Sequence, residues 1–376
     1  MTAAPLYIDI HILQTVPPAN LNRDDQGNPK EAYFGGVRRA RVSSQAWKRA
    51  TRMQFASHQP EGEQGTRTKR IATELATRLA RTGVDGEQAQ RLATALLTPL
   101  GVKPGKKAGD TAYLLFYGHH QVENIVDLVA DRATDLVALD DTDLVDAVKN
   151  LPVADTLRTG HPMDVALFGR MVADIPSLNV DAATQVAHAL STHAVELEFD
   201  YYTAVDDQNT AEETGAGMIG TVGFNSATLY RYATIGLHQL EDNLGDTDAA
   251  IDATRLFVQD FARAVPSGHQ NTFAHRTLPN LVAVAIRTDQ PVNLVSAFEE
   301  PVPGTDGIAA DSAIRLADEY ARVTQAWGGP EHIDVCHTFD TKSPAGARLA
   351  EVFGDTKPFP TLLTGLTARL QARTNA

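Results

Sequence analysis

The sequence predicts an α+β fold, and three observations predict it. Short β-branched runs are separated by long stretches of helical periodicity instead of alternating with them one for one. Two aromatic-rich, strand-like runs flank a polar loop with four glycines, as in a large hairpin. With the long helical stretch set aside, the remaining order is strand, helix, strand, strand, helix, strand. That is the ferredoxin-like order used by RNA-recognition folds.

The elements follow in chain order. Tyr7 to Leu13 alternates and is rich in isoleucine, so it reads as a strand with Ile8, Ile10 and Ile12 on one face. A long polar, glycine-containing loop is expected from there to Val42. Ser43-Ser44 offers an N-cap to a helix reaching about His58. On it Gln45, Lys48, Arg49 and Arg52 share a face, while Ala46, Trp47, Ala50 and Met53 are expected to be buried. Helical patterns then cover Thr66–Arg81, Gly86–Leu97, Tyr113–Arg132 and Asp141–Asn150, with a loop over Gly101–Asp110. Ala183–Glu196 fits helix or strand on periodicity alone. Leu197–Val205 and Ala227–Leu237 read as strands around the loop holding Gly215, Gly217, Gly220 and Gly223. Ala249–Val265 is an amphipathic helix, Leu281–Arg287 a buried strand, and Ala309–Trp327 and Pro360–Arg373 are helices.

The chain has 376 residues and a net charge of −14, which excludes a wholly basic nucleic-acid binder but not a local basic site. The charge is segregated. Arg23 to Arg52 holds eight bases and three acids, a net +5, so the rest of the chain carries −19. Glu123 to Asp146 holds eight acids and one base. Such a division suits a polyanion held on one side and repelled from another. Cys336 is the only cysteine, so no intramolecular disulfide and no four-cysteine zinc site can form. Met1 to Pro18 lacks the basic start of a signal peptide, and the apolar runs are too short to span a membrane. A cytoplasmic protein is expected.

Several motifs invite a functional reading that their context does not support. Gly215-Ala-Gly217-Met-Ile-Gly220 matches a dinucleotide fingerprint, but a β-rich segment follows where a helix is required. Gly101 to Lys107 resembles a phosphate-binding NTPase loop, with wrong glycine spacing and no Ser or Thr after the lysine. Glu331-His332 with Cys336-His337 lacks the paired spacing of a structural zinc site. Asp24-Asp25 and Asp206-Asp207 could hold Mg²⁺ for phosphodiester cleavage, yet both pairs sit where aspartate serves turns. No catalytic residue, metal or cofactor is therefore assigned.

The strongest feature is Leu21-Asn22-Arg23-Asp24-Asp25 followed by Phe34 to Arg49. Its chemistry is that of a phosphate cradle: glycines allow close backbone approach, a helix start offers free N–H groups, and Ser43, Ser44 and Gln45 add neutral donors. Lys48, Arg49 and Arg52 add positive charge along the helix. None of these groups reads bases, so binding should follow backbone and not sequence.

The same block resembles the backbone subunit of the type I-E CRISPR surveillance complex Cascade, the CasC or Cse-type family. Phe168-Gly169-Arg170-Met171, Ala187-His188-Ala189, Thr192-His193, Tyr202 to Asp207, Tyr230 to Ala233 and Glu241 to Gly245 extend the resemblance in order along the chain. It weakens after about residue 300. The resemblance implies an RRM-like (ferredoxin-like) palm, a helical fingers insertion and a β-hairpin thumb. Their bounds would be 1–60, 182–196 and 229–376 for the palm, 61–181 for the fingers and 197–228 for the thumb. It implies a non-catalytic subunit stacked head to tail in several copies along a CRISPR RNA, kinking it at regular intervals and presenting it for pairing with target DNA. The other partners implied are the large and small subunits, the 5′-handle-binding subunit and the crRNA endonuclease. RNA-binding roles fall on Arg23, Ser43, Ser44, Gln45, Lys48, Arg49, Arg52, Arg170, Met171 and Met218. The acidic run Asp135–Asp146 departs from relatives that carry lysines there, which leaves either Lys103, Lys106 and Lys107 as candidate DNA contacts or a weaker hold on DNA. The alternative within the same superfamily is a metal-dependent endoribonuclease using Asp24 or Asp207. A small-molecule enzyme built on the Gly215–Gly223 loop is the third reading.

Overall fold

The computed structural model describes residues 5–107, 109–204, 218–303 and 307–374. In chain order the strands are β1 (Tyr7–Ala19), β2 (Glu31–Phe34), β3 (Val37–Val42), β4 (Gly65–Thr68), β5 (Leu115–Gly118), β6 (Thr184–Val186), β7 (Ala189–Ser191), β8 (Glu198–Ala204), β9 (Met218–Gly236), β10 (Leu281–Arg287) and β11 (His332–His337). The helices are α1 (Ser44–Phe55), α2 (Ile71–Leu79), α3 (Gly86–Leu97), α4 (His119–Asp127), α5 (Ala133–Val137), α6 (Asp141–Val148), α7 (Val153–Arg158), α8 (Met163–Phe168), α9 (Leu237–Leu244), α10 (Thr247–Arg263), α11 (Gln270–Phe273), α12 (Ile308–Trp327), α13 (Pro344–Phe353) and α14 (Phe359–Thr374). None of the described helices is long and apolar enough to cross a membrane.

The chain forms two compact units. The first comprises residues 1–54, 185–235 and 255–376. Its sheet runs β11-β10-β1-β9-β7-β3-β2, with β6 and β8 also paired to β9. The pairs β1·β10, β10·β11, β7·β9, β8·β9, β3·β7 and β2·β3 are antiparallel. Burial drives the packing: Ile8, Ile10, Ile12 and all of β10 are buried, and α12 and α13 pack Ala313, Leu316 and Leu349 into one cluster with Leu13, Leu281 and Ala283. The second unit comprises residues 55–184 and 236–254. Its core is aliphatic, with Ile71, Leu75, Leu79, Leu92, Leu96, Val122 and Ile125 all at 0 % exposure.

Several expectations are corrected. The loop expected up to Val42 is largely strand. β1 continues to Ala19, past the end of its pairing with β10 at Leu13. The chain returns as the β2–β3 hairpin, closed by Phe34 opposite Val37. Gly35 and Gly36 sit at φ +60° and +79°, the positive values that a two-residue hairpin turn needs. Thr66–Arg81 and Tyr113–Arg132 are not single helices, because each begins with a strand of the β4·β5 pair. β-Branched Thr66 and Thr68 face Tyr117 and Leu115 there. The ambiguous stretch 183–196 carries β6 and β7. β9 starts at Met218, so Gly220 and Gly223 belong to a strand instead of a loop. Gly215, Gly217, Asp206 and Asp207 lie outside the described residues. β11 and α13 were not expected.

Candidate nucleic-acid interface

Three segments of the first unit shape one cleft: the loop after β1, helix α1 and the turn between α10 and β10. The loop is built by its own amides. Asp24 Oδ1 accepts from Gln26 N and Asn28 N, both at 2.9 Å, and Lys30 N donates to Asn22 O at 2.8 Å. Asn20 Nδ2 ties the loop to β9 by donating to Gly27 O and Gly223 O, each at 2.9 Å. Asn22 Oδ1 accepts from Ser43 N at 2.9 Å, which fixes the loop against the start of α1. Ser43 Oγ in turn accepts from Ala46 N at 3.3 Å, the N-cap that its sequence position suggested.

The roll of α1 is set by Trp47, which is fully buried with the Arg231 guanidinium 3.8 Å from its ring and Phe261 edge-on at 6.4 Å. At 100° per residue, that seat turns Gln45, Arg49 and Met53 toward the cleft. Met53 is therefore 55 % exposed, a correction of its expected burial. Ala46 and Ala50 are only half-buried.

The resulting cleft measures about 1030 Å³ and is lined by Arg23, Lys30, Arg49 and Arg276 with the donors Ser43, Gln45 and Gln270. Among the described residues no carboxylate lines it. In a chain of net charge −14 this is a concentrated positive site, suited to a polyanion's phosphates. Asp24 and Asp25 line an adjoining hollow of about 540 Å³ with Arg23.

The residues singled out in the sequence divide. Arg23, Ser43, Gln45 and Arg49 come together in the cleft. Lys48 and Arg52, both half-buried, are not among the described residues that line it, and Ser44 is the first residue of α1. Met171 is 84 % exposed. Arg170 is turned inward. It is 5 % exposed, and its guanidinium donates to Leu178 O at 2.6 Å, Phe116 O at 3.2 Å and Leu157 O at 2.7 Å within the second unit. Burial lowers its pKa to about 10. Met218 opens β9 opposite Ala204, and its side chain lies outside what is described.

Asp24 is spent on its turn, and no three His, Cys, Asp or Glu side chains among the described residues converge as metal ligands. In β11, His332 Nε2 lies 3.0 Å from Asp334 Oδ1, and Lys357 pairs with the same carboxylate. Sequence reasoning missed Arg276, His269 and Gln270. The polar run from Pro266 to Arg276, between a helix and a buried strand, was the available signal.

Residues 8–362 match the model of the CT1975-like protein family of Cas proteins, and the chain belongs to that family. A chain of a solved structure described as a CRISPR RNA-guided surveillance complex, pre-nicking, is similar to it at 33 % identity and a TM-score of 0.85. That match covers 97 % of this chain and 100 % of the other. A chain of a second CRISPR RNA-guided surveillance complex is 28 % identical with a TM-score of 0.74, over 96 % and 99 % of the two chains. The curated proteins give no match. The mixed α/β fold with its antiparallel sheet is thus that of subunits from such complexes.

Proposed function

We propose that this chain is the guide-RNA-binding backbone subunit of a type I-E CRISPR surveillance complex. The observation that carries the reading is the acid-free cleft with Arg23, Lys30, Arg49 and Arg276 in an otherwise acidic chain. Arg23 and Arg49 neutralise phosphates, Ser43 and Gln45 donate to them, and Lys48 and Arg52 extend the positive surface along the flank of α1. The strand order β10-β1-β9-β7 is the fourth-first-third-second order of a ferredoxin-like, RRM-like palm, which supports the same reading. The second unit serves as the fingers, and the β8·β9 ribbon as the thumb. Several copies stack head to tail on the guide. A heterologous contact of that kind builds an open helix and not a closed dimer. The exposed Met171 packs against the kinked guide, whose remaining bases pair with target DNA. The protein works in the cytoplasm beside the other subunits and cuts nothing itself, since Asp24 organises a turn.

The test is co-expression with a CRISPR array and the companion subunits. The purified complex should hold an RNA of uniform length, protected from nuclease at regular intervals. Arg23→Gln with Arg49→Gln should strip that RNA regardless of its sequence. Magnesium-dependent RNA cleavage by the wild type, abolished in Asp24→Asn, would overturn the scaffold reading in favour of the nuclease.

A further inference from the structure

The turn between α10 and β10 is more than a connector. His269 and Ala274, neither of them glycine, hold φ values of 50° and 47° at the two ends of α11. Such values are uncommon outside glycine and persist only where the surroundings enforce them. Here the surroundings do. His275 is 1 % exposed, and its Nε2–H donates to Pro266 O at 3.0 Å, closing the turn on itself. Phe273 packs against Phe224 of β9 with ring centroids 5.8 Å apart. A Cβ on Gly268 would sit 2.5 Å from Asn20 O and 2.6 Å from Leu21 O, so the turn presses backbone to backbone on the segment leading to Arg23.

The rigid turn ends in Arg276, which is exposed and lines the cleft. Arg276 Nη2 reaches Gln54 Oε1 at 3.5 Å, which places its guanidinium beside the last turn of α1. About 13 Å of helix separates Gln45 from Gln54. The cations are therefore strung along the cleft instead of gathered at one point.

We propose that the segment from Pro266 to Arg276 is a second, pre-organised arm of the RNA site. Arg276 holds a phosphate of the strand that Arg49 holds, farther along α1. This rests on the cleft being the RNA path. Pre-organisation matters because no ordering cost falls on the arm when the strand arrives.

The experiment measures binding of the full-length chain to its guide RNA as salt is varied, for Arg276→Gln, Arg276→Lys, Arg49→Gln and Lys48→Gln. Arg276→Gln should reduce the log–log salt slope by about 0.7, the value of one single-strand phosphate contact. Arg49→Gln should do the same, and Arg276→Lys, which keeps the charge, should restore the slope. Thermal melting reports whether each variant folds. A normal slope in Arg276→Gln with a reduced one in Arg49→Gln would overturn the second arm and leave the cleft as the RNA path. Normal slopes in both, with loss confined to Lys48→Gln, would overturn the cleft as well.

Discussion

Arg231 and Arg49 lie on opposite sides of the same helix. Arg231, from β9, is 1 % exposed and sandwiched between Trp47 at 3.8 Å and Phe261 at 4.5 Å. It donates to Gln14 Oε1 at 2.6 Å and to the Phe261 carbonyl, and burial lowers its pKa to about 9. Arg49 stands exposed in a cleft that no carboxylate among the described residues lines. The seat takes up both terminal nitrogens of its arginine internally, whereas the cleft leaves its cations facing outward. Arg39 and Arg170 belong with the seat, since both are buried and spend their guanidinium groups on backbone carbonyls. An arginine's function here follows from which acceptors the fold has already given it.

The comparison breaks most visibly by truncation in the seat. Arg231→Ala should cost about 3–5 kcal/mol, because it opens a cavity between Trp47 and Phe261 and strips Gln14 Oε1 of its donor. Arg231→Met should recover only the part of that loss owed to the cavity, since methionine fills the volume but leaves Gln14 Oε1 without a donor. Urea unfolding measures both. A cost below about 1 kcal/mol for Arg231→Ala would remove the seat as the fixture of α1.

This contrast also marks what could be read from sequence. Trp47 as a buried residue, the Ser43 cap, β10, α3 and the extent of α12 and α14 were legible because each has a local cause: periodicity, a capping side chain, a continuous apolar run. Arg23, Ser43, Gln45 and Arg49 were legible as one site because they lie close together in the chain. Arg276 was not, since more than two hundred residues separate it from Arg49 and only the tertiary fold joins them. The burial of Arg170 was not legible for the complementary reason. Its partners Leu178, Phe116 and Leu157 are carbonyls, and a backbone acceptor leaves no trace in a sequence. The β2–β3 hairpin was missed although Gly35-Gly36 announced it, because the flanking residues are charged instead of clearly alternating.

A smaller effect should come from two imidazoles whose pKa burial lowers, His11 in the first unit and His161 in the second. His11 is 4 % exposed against Tyr230, its Nδ1 being 2.9 Å from the hydroxyl, and burial holds its pKa down at about 3. Burial likewise lowers that of His161 to about 4. The unfolded chain binds protons near pH 6.5 while these folded imidazoles stay neutral, so stability should fall as pH drops below about 6.5. His11 alone should cost roughly 2 kcal/mol by pH 5, and the less buried His161 a smaller amount. His11→Asn should flatten the pH dependence of the urea midpoint above pH 5. An unchanged slope would mean that His11 accepts a proton in the folded state.

The smallest stability effect, and the sharpest contrast with Arg231, belongs to the exposed face of α1. Arg49→Gln should leave unfolding within about 0.5 kcal/mol of the wild type, because Arg49 is exposed and the change neither opens a cavity nor buries a charge. Its binding and that of Lys48→Gln should differ. Arg49 lines the cleft, and removing it should lower the RNA salt slope by about 0.7. Lys48 lies on the flank, about 100° around the helix from its neighbour, where a phosphate in the cleft is farther away and solvent screens the pair. Its slope change should be the smaller one. Equal changes would widen the RNA path to both faces of α1, and a larger change for Lys48 would move the path out of the cleft onto the flank.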